Sequence, residues 1–321
     1  MWFKGGQRLP HEDVASNPDI AALSQRVDEL TQLVRSLDSR LYGAERFRAP
    51  YYYLGGNRAL TYLETGQPFY VDTSDFGLTP WLVMGGHWET WADRVVSGYV
   101  RPGMTIIDVG ANVGYYAVKW GKMIGPQGEL HAFEPNPELA IFIHENLALN
   151  GLHGHCRYYT HAVGAEHGQA VLTLTEHSTG LATLRKVLMP PGALRTHTVA
   201  VAPLDAVLGH LNSVDLIKID VEGYEPSVIA GARQLIARSP KCAFHLEVQT
   251  GWETDGESIR ETLRPLADGR LAFIIGADSS LTSIHLEAIR DYVFGLPSGL
   301  ADFFFCSPEE SYLSRIRQFL K

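Results

Sequence analysis

Three short stretches of the chain bring together residue types that can hold and transform a small molecule. The first is Asp108-Val109-Gly110-Ala111-Asn112-Val113-Gly114, which follows the apolar run Thr105-Ile106-Ile107. Glycines let a backbone approach a ligand closely, because no Cβ intervenes. A G-x-G-x-x-G phosphate-binding turn would need glycine at the positions held here by Gly110, Asn112 and Tyr115. Two of the three fail, so the turn suits a ligand without phosphates. The second stretch is Phe133-Glu134-Pro135-Asn136-Pro137, with Glu134 lying 24 residues after Gly110. A carboxylate at such a strand end can accept both hydroxyls of a ribose, and the two prolines stiffen the turn. The same residues also read as a helix start, with Asn136 as cap and Pro137 at the first helical position. The third stretch is Lys218-Ile219-Asp220-Val221-Glu222-Gly223-Tyr224-Glu225. Glu222 and Glu225 suit the positive end of a following helix. Asp220 is not explained that way, and a lysine within a buried strand requires a charged partner.

The elements that must position these residues alternate. Thr105 to Val109 reads as a buried strand and Tyr115 to Ile124 as a helix. Glu129 to Phe133 is a second strand, Pro137 to Leu149 a helix, and Arg157 to Val163 a third strand. Asp215 to Ile219 is followed by a helix through Ile236, then strands at Ala243 to Val248, Leu271 to Ile275 and Phe303 to Cys306. Strands alternating with helices predict an α/β fold, with a doubly wound, mostly parallel sheet. Residues 168–201 break that grammar and read as an inserted hairpin. On the predicted sheet all three chemical stretches fall at strand ends, where such sheets bind ligands.

The N-terminal part is different. Residues 1–19 form a loose lead-in. In residues 20–45, Ile20, Val27, Val34 and Leu41 alternate with Leu23, Leu30, Leu37 and Ala44 as a heptad repeat. That pattern predicts a coiled-coil helix and a homo-oligomer built through it. Residues 46–100 are aromatic and turn-rich and form a cap of short strands; the main domain runs over 101–321. We expect Trp81, Trp88, Trp91 and the Tyr51-Tyr52-Tyr53 triplet to be mostly core, the alternative being a stacking surface for a sugar.

Composition narrows the function. With 36 acidic against 27 basic residues, the chain lacks the basic face of a nucleic-acid binder. No apolar run reaches the roughly 20 residues of a membrane span, and the first residues lack a signal-peptide core. Cys156, Cys242 and Cys306 form no C-x-x-C pair. A small, neutral or cationic ligand and a reducing cytoplasm are the expectation.

Together these motifs resemble the FkbM-type family of class I S-adenosylmethionine-dependent methyltransferases. Asp108 to Gly114 is similar to its D-V-G-A-N-x-G turn. Lys218 to Glu225 with Val228-Ile229-Ala230-Gly231-Ala232 is similar to its K-I-D-V-E-G-x-E…V-L-x-G-A signature. Phe244-His245-Leu246-Glu247 resembles the strand ending in Glu, and Asp72…Asp75…Gly86-x-Trp88-Glu89 the segment before the fold. The likeness covers residues 50–306. It implies the cofactor S-adenosyl-L-methionine and O-methylation of a hydroxylated, glycan-derived acceptor. Gly110, Asn112 and Gly114 would cradle the methionine part, and Asp108 and Glu89 would face its amine or order the loop. Glu134, with Asn136 in the same turn, would hold the ribose, and Ala162 and Val163 would flank the adenine. A hydroxyl acceptor needs a general base, for which Asp220, Glu222 and His245 are candidates. Asp220 and Glu222 are also oxygen ligands suited to Mg2+. The competing readings are an NAD(P)- or nucleotide-sugar-dependent oxidoreductase on a similar sheet, and a non-catalytic coiled-coil assembly protein.

Overall fold

Short apolar runs bounded by glycine become strands here, and the helices between them become crossovers. The computed structural model describes residues 50–175, 182–184, 195–254 and 256–321, with Arg26 and Leu30. The lead-in and all but those two residues of the heptad helix lie outside the described residues. Arg48–Lys321 forms one compact unit.

Its strands are β1 (Tyr52–Gly55), β2 (Arg58–Tyr62), β3 (Pro68–Asp72), β4 (Thr105–Val109), β5 (Glu129–Phe133), β6 (Cys156–Tyr159) and β7 (Ala162–Val163). They continue as β8 (Gly168–Leu174), β9 (Arg195–Ala202), β10 (Leu216–Ile219), β11 (Ala243–Gln249), β12 (Leu271–Ile275), β13 (Leu281–Ile284) and β14 (Leu300–Cys306). Eight of them form the central sheet in the order β13-β12-β14-β11-β10-β4-β5-β6. Neighbours from β11 through β6 pair in parallel, while β14 runs against both β11 and β12. The chain leaves β4 towards β6 and later returns to β10 on the other side. The order therefore reverses between β4 and β10, which opens a crevice at their carboxyl ends.

Register places chemistry on one face of this sheet. Ile106 pairs with Leu216, Asp108 with Lys218, and Lys218 with His245. Moving towards the carboxyl ends, this face turns from apolar to charged, and Glu247 pairs with Asp302 across β11 and β14.

Several boundaries differ from the sequence expectation. The third strand divides: β6 stays in the central sheet, whereas β7 joins β8 and β9 in a separate three-stranded sheet. Tyr159 stacks on Phe133 with centroids 4.5 Å apart, and the chain turns away after it. The helix from Pro137 begins only at Ala140, because Asn136 caps a turn by accepting from Glu138 N–H (3.0 Å). The helix through Ile236 breaks at Gly231, where a Cβ would lie 2.0 Å from the Gly164 carbonyl oxygen. The expected hairpin at 168–201 is present as the antiparallel pair β8 and β9.

The 46–100 region contains helices Thr79–Gly85 and Thr90–Tyr99 besides the β1-β2-β3 meander. The meander docks on helix Ala140–Leu149 through Asn146, which accepts from Tyr70 N–H (2.7 Å) and donates to Tyr70 O (3.0 Å). Its aromatics are not mostly core. Tyr51, Tyr52, Tyr53, Trp81 and Trp91 are exposed, because β1 is an edge strand and the helix carrying Trp81 covers little beneath it.

The two glycines of the first motif do different work. Gly110 has φ 85°, and a Cβ on it would lie 1.8 Å from the Asp220 carbonyl oxygen. The glycine thus lets the loop after β4 cross the end of β10. Gly114 has φ 88°, but its nearest neighbour would be Ile143 Cα at 3.7 Å. Gly114→Ala is expected to cost only the left-handed backbone strain, about 1–2 kcal/mol. Gly110→Ala adds a backbone collision and should cost about 3 kcal/mol or more. Urea unfolding of the two variants checks the order, and equal losses would contradict it.

Candidate functional site

The crevice holds a partly open cavity of about 210 Å3. Its floor is the loop after β4, its far wall the turn after β5, and its other side the end of β10 and β11. The inserted hairpin adds Leu172, Ala182 and Leu184 as an apolar wall. Thr183 fastens that wall by donating to the Glu222 carbonyl (2.8 Å).

The loop after β4 is closed on itself. Gly110 and Ala111 N–H both donate to Phe133 O, at 2.9 and 3.0 Å, and Gly114 N–H donates to Ala111 O (2.8 Å). Asn112 takes a left-handed φ of 52°, and its N–H donates to Glu134 Oε2 (3.0 Å). Glu134 Oε1 accepts from Asn136 N–H (2.8 Å). Burial pushes Glu134 up to about 7 against the pull of those two amides. Each of its oxygens keeps one lone-pair direction for a further donor. The amides of Gly110, Ala111, Asn112 and Gly114 are thus spent inside the protein, and the Asn136 N–H clamps Glu134.

The opposite end is rich in carboxyl groups. Lys218, 1% exposed, places its ammonium 3.0 Å from Asp220 Oδ2 and 3.8 Å from Asp108 Oδ1, which answers its need for a partner. Burial disfavours its charge, but Asp220 and Asp108 outweigh that and hold its pKa up. Glu89 and Glu222 are pushed up to about 8 and Glu247 to about 9, each first by burial and next by the charge of Asp220. Glu225 instead is a fastener: it accepts from Val221 and Gly223 N–H at 3.0 and 3.1 Å and from Trp252 Nε1–H (3.0 Å).

Of the residues expected at the site, Glu89, Gly110, Asn112, Glu134, Ala162, Val163, Asp220 and Glu222 line the cavity. Asp108, Gly114, Asn136 and His245 stand outside its lining. Asp108 is fully buried and faces Lys218 rather than a ligand. His245 Nε2 lies 3.2 Å from Asp302 Oδ1, and Trp91 Nε1–H donates to Asp302 Oδ2 (2.9 Å). Burial pushes Asp302 up, but those two bonds pull it below the ordinary carboxylate range. Trp88, offered in the sequence as part of a stacking surface, lines the cavity, whereas Tyr116 and Tyr224 had no signal there, since aromatic residues near a glycine turn read equally well as core.

Among the described residues, no group of three or more His, Cys, Asp or Glu side chains is placed to hold a metal ion. Asp220 is already paired with Lys218, so the Mg2+ expectation finds no support.

A family model described as the methyltransferase FkbM domain matches residues 108–273 of the 321. The chain belongs to the FkbM methyltransferase family. The matched span runs from the β4 turn through β12 and contains Glu134, Lys218, Asp220 and Glu222. Among curated proteins, the protein-L-isoaspartate O-methyltransferase of Triticum aestivum is 23% identical over 122 residues, 38% of this chain and 44% of that protein. The Aeropyrum pernix protein of the same name is 39% identical over 75 residues, 22% of this chain and 29% of that protein. This FkbM-family chain spans less than half the length of either. A solved precorrin-6y C5,15-methyltransferase from Geobacter metallireducens is 13% identical, with TM-score 0.35, covering 68% of this chain and 89% of that one. The sheet has the class I methyltransferase fold: parallel strands, with β14 reversed between β11 and β12 and β13 reversed at the edge.

The acid cluster couples protonation to stability. Glu89, Glu222 and Glu247 bind protons more tightly folded than unfolded, since their pKa values rise from 4.5 to about 8, 8 and 9. Their favourable contribution is complete below the unfolded value and is lost as pH rises through the folded values. The midpoint of thermal unfolding should therefore fall between about pH 6 and about pH 9, and less steeply in Glu247→Gln. A midpoint that climbs over that range in the unsubstituted protein would contradict the assignment.

Proposed function

We propose that this protein transfers a methyl group from S-adenosyl-L-methionine to a hydroxyl of a small or glycan-derived acceptor. One observation carries the reading: the Gly110, Ala111 and Asn112 amides of the loop are taken by Phe133 O and Glu134, while Glu134 stands at the neighbouring strand end with acceptor capacity left. That combination fits a nucleoside without phosphates, its ribose diol donating to Glu134. Ala162, Val163 and Phe133 give an apolar slot beside it for a base. When bound, S-adenosyl-L-methionine supplies an electrophilic methyl on a sulfonium cation. The carboxylates opposite favour a positive charge in this low-dielectric crevice.

The protein's own task is to align an acceptor and take its proton. Orientation accounts for much of the rate of such an in-line displacement. Glu222 lines the cavity and, held near 8 by burial and Asp220, is suited to take a proton near neutral pH. Asp220 is instead paired with the Lys218 ammonium at 3.0 Å. His245 is committed to Asp302 outside the cavity, which leaves it a supporting role. No described helix is long and apolar enough to cross a membrane, and a cytoplasmic site is part of this reading. Self-association through the heptad helix is a further part of it; removing residues 1–45 should lower the particle mass in light scattering.

Calorimetry with S-adenosyl-L-methionine and with NAD tests the donor. Heat with NAD alone would overturn the proposal. Glu134→Ala should weaken donor binding by about 1.5–3 kcal/mol per lost charge-assisted hydrogen bond. Glu222→Gln should bind the donor normally but lower methyl transfer by roughly 10²- to 10⁴-fold. Full transfer by that variant would remove Glu222 as the base.

A further inference from the structure

The acceptor end of the cavity carries more carboxyl groups than proton removal requires. Glu89, Asp220, Glu222 and Glu247 all line it, and Lys218 is the only cationic side chain among the described lining residues. Asp302 pairs with Glu247 across the sheet and adds its charge to both Glu247 and Glu89. Its partner His245 sits one pleat back, outside the lining. A sulfonium calls for only one of these carboxyl groups to ionise, which leaves the others free to ionise against a second cation.

A second observation points to a ligand. Tyr116 is 5% exposed and lines the same cavity, yet its hydroxyl has no hydrogen-bond partner among the described residues. Burial first, and then the nearby charge of Glu89, hold that phenol protonated, so it stays available as a neutral donor and acceptor. Its ring already faces one ammonium, with Lys218 Nζ 5.3 Å from the centroid. Trp88 presents a second aromatic surface to the cavity.

We infer that the acceptor carries a protonated amine beside its reacting hydroxyl, recognised by Glu89 and Glu247, the Tyr116 hydroxyl and the Trp88 ring. This rests on reading the cavity as a donor-and-acceptor site. An ammonium supplies three donors to carboxylates, and such charge-assisted bonds are the strong ones. An aromatic face adds attraction for a desolvated cation. A neutral acceptor would leave the acids to keep their protons or repel one another.

The test uses the full chain loaded with S-adenosylhomocysteine, with glucosamine, N-acetylglucosamine and glucose as probes, at about pH 6.5, where an amine of this kind is charged. Glucosamine is expected to bind at least roughly tenfold more tightly than the other two. It should also release protons, read as heat that varies with the ionisation enthalpy of the buffer, as Glu89 and Glu247 ionise. Glu247→Gln should abolish most of the preference and the proton release. Tyr116→Phe should reduce the preference while leaving S-adenosylhomocysteine binding intact, with circular dichroism verifying both folds. Equal affinities, a preference for the acetylated sugar, or no binding of any of the three would overturn the inference. Labelled methyl transfer separates it from the reading it rests on. Transfer to glucose without amine preference sinks the inference alone. Amine-selective binding with no transfer to any hydroxyl supports it and removes the O-methyl assignment.

Discussion

Lys218 holds the carboxyl end of the sheet in its working arrangement. Its ammonium lies between Asp108 and Asp220, nearly sealed from solvent, on the strand that forms one side of the crevice. Removing one member of such a buried set leaves an unpaired charge, which costs roughly 3–5 kcal/mol. The set also orders the site in sequence. Asp108 precedes the turn that leads to Gly110, and Gly110 must pass the Asp220 carbonyl. The lysine therefore ties the donor loop to the acid cluster, so that neither can move without disturbing the other.

Around that tie, the two ends of the cavity have opposite characters for one reason, the fate of backbone amides. At the β4 turn the amides point inward and are taken by Phe133 O and Glu134. That fixes the loop against the end of β5. At the β10 turn the amides of Val221 and Gly223 are taken by Glu225, so Asp220 and Glu222 have no amide clamp of that kind. Burial without such bonds pushes Glu222 up to about 8, whereas Glu134 shares its burial with two amide donors. The hairpin wall completes the enclosure: Leu172 and Leu184 bring apolar surface to the donor side and strengthen the electrostatics within.

How much of this could be read along the chain differs by element. The β4, β5 and β12 strands and the first crossover helix fall where the apolar runs put them, because buried parallel strands are short, continuous and bounded by glycine. β13 escaped because it is a four-residue strand at the sheet's edge, and the helix Leu286–Gly295 because it buries only Ile289 and Val293. The division of the third strand was equally hidden: β7 is two residues long, and its partner β9 lies more than thirty residues on. The exposed tyrosines were misjudged because aromatic type signals burial only on average.

For the site, residue type and spacing determined the phosphate-free turn, the strand-end acid and the need of Lys218 for a partner, since these depend on local backbone chemistry. Only the tertiary structure decided which of these residues line the cavity. Asp108, expected to face the cofactor's amine or order the loop, and His245, a candidate base, differ in depth from Asp220 and Glu222. They sit one pleat deeper on the same face, where the sheet's register turns them to Lys218 and Asp302 instead of the cavity. A rise of one pleat, set by pairing between strands far apart in the chain, separates a buried support from a group that can touch substrate.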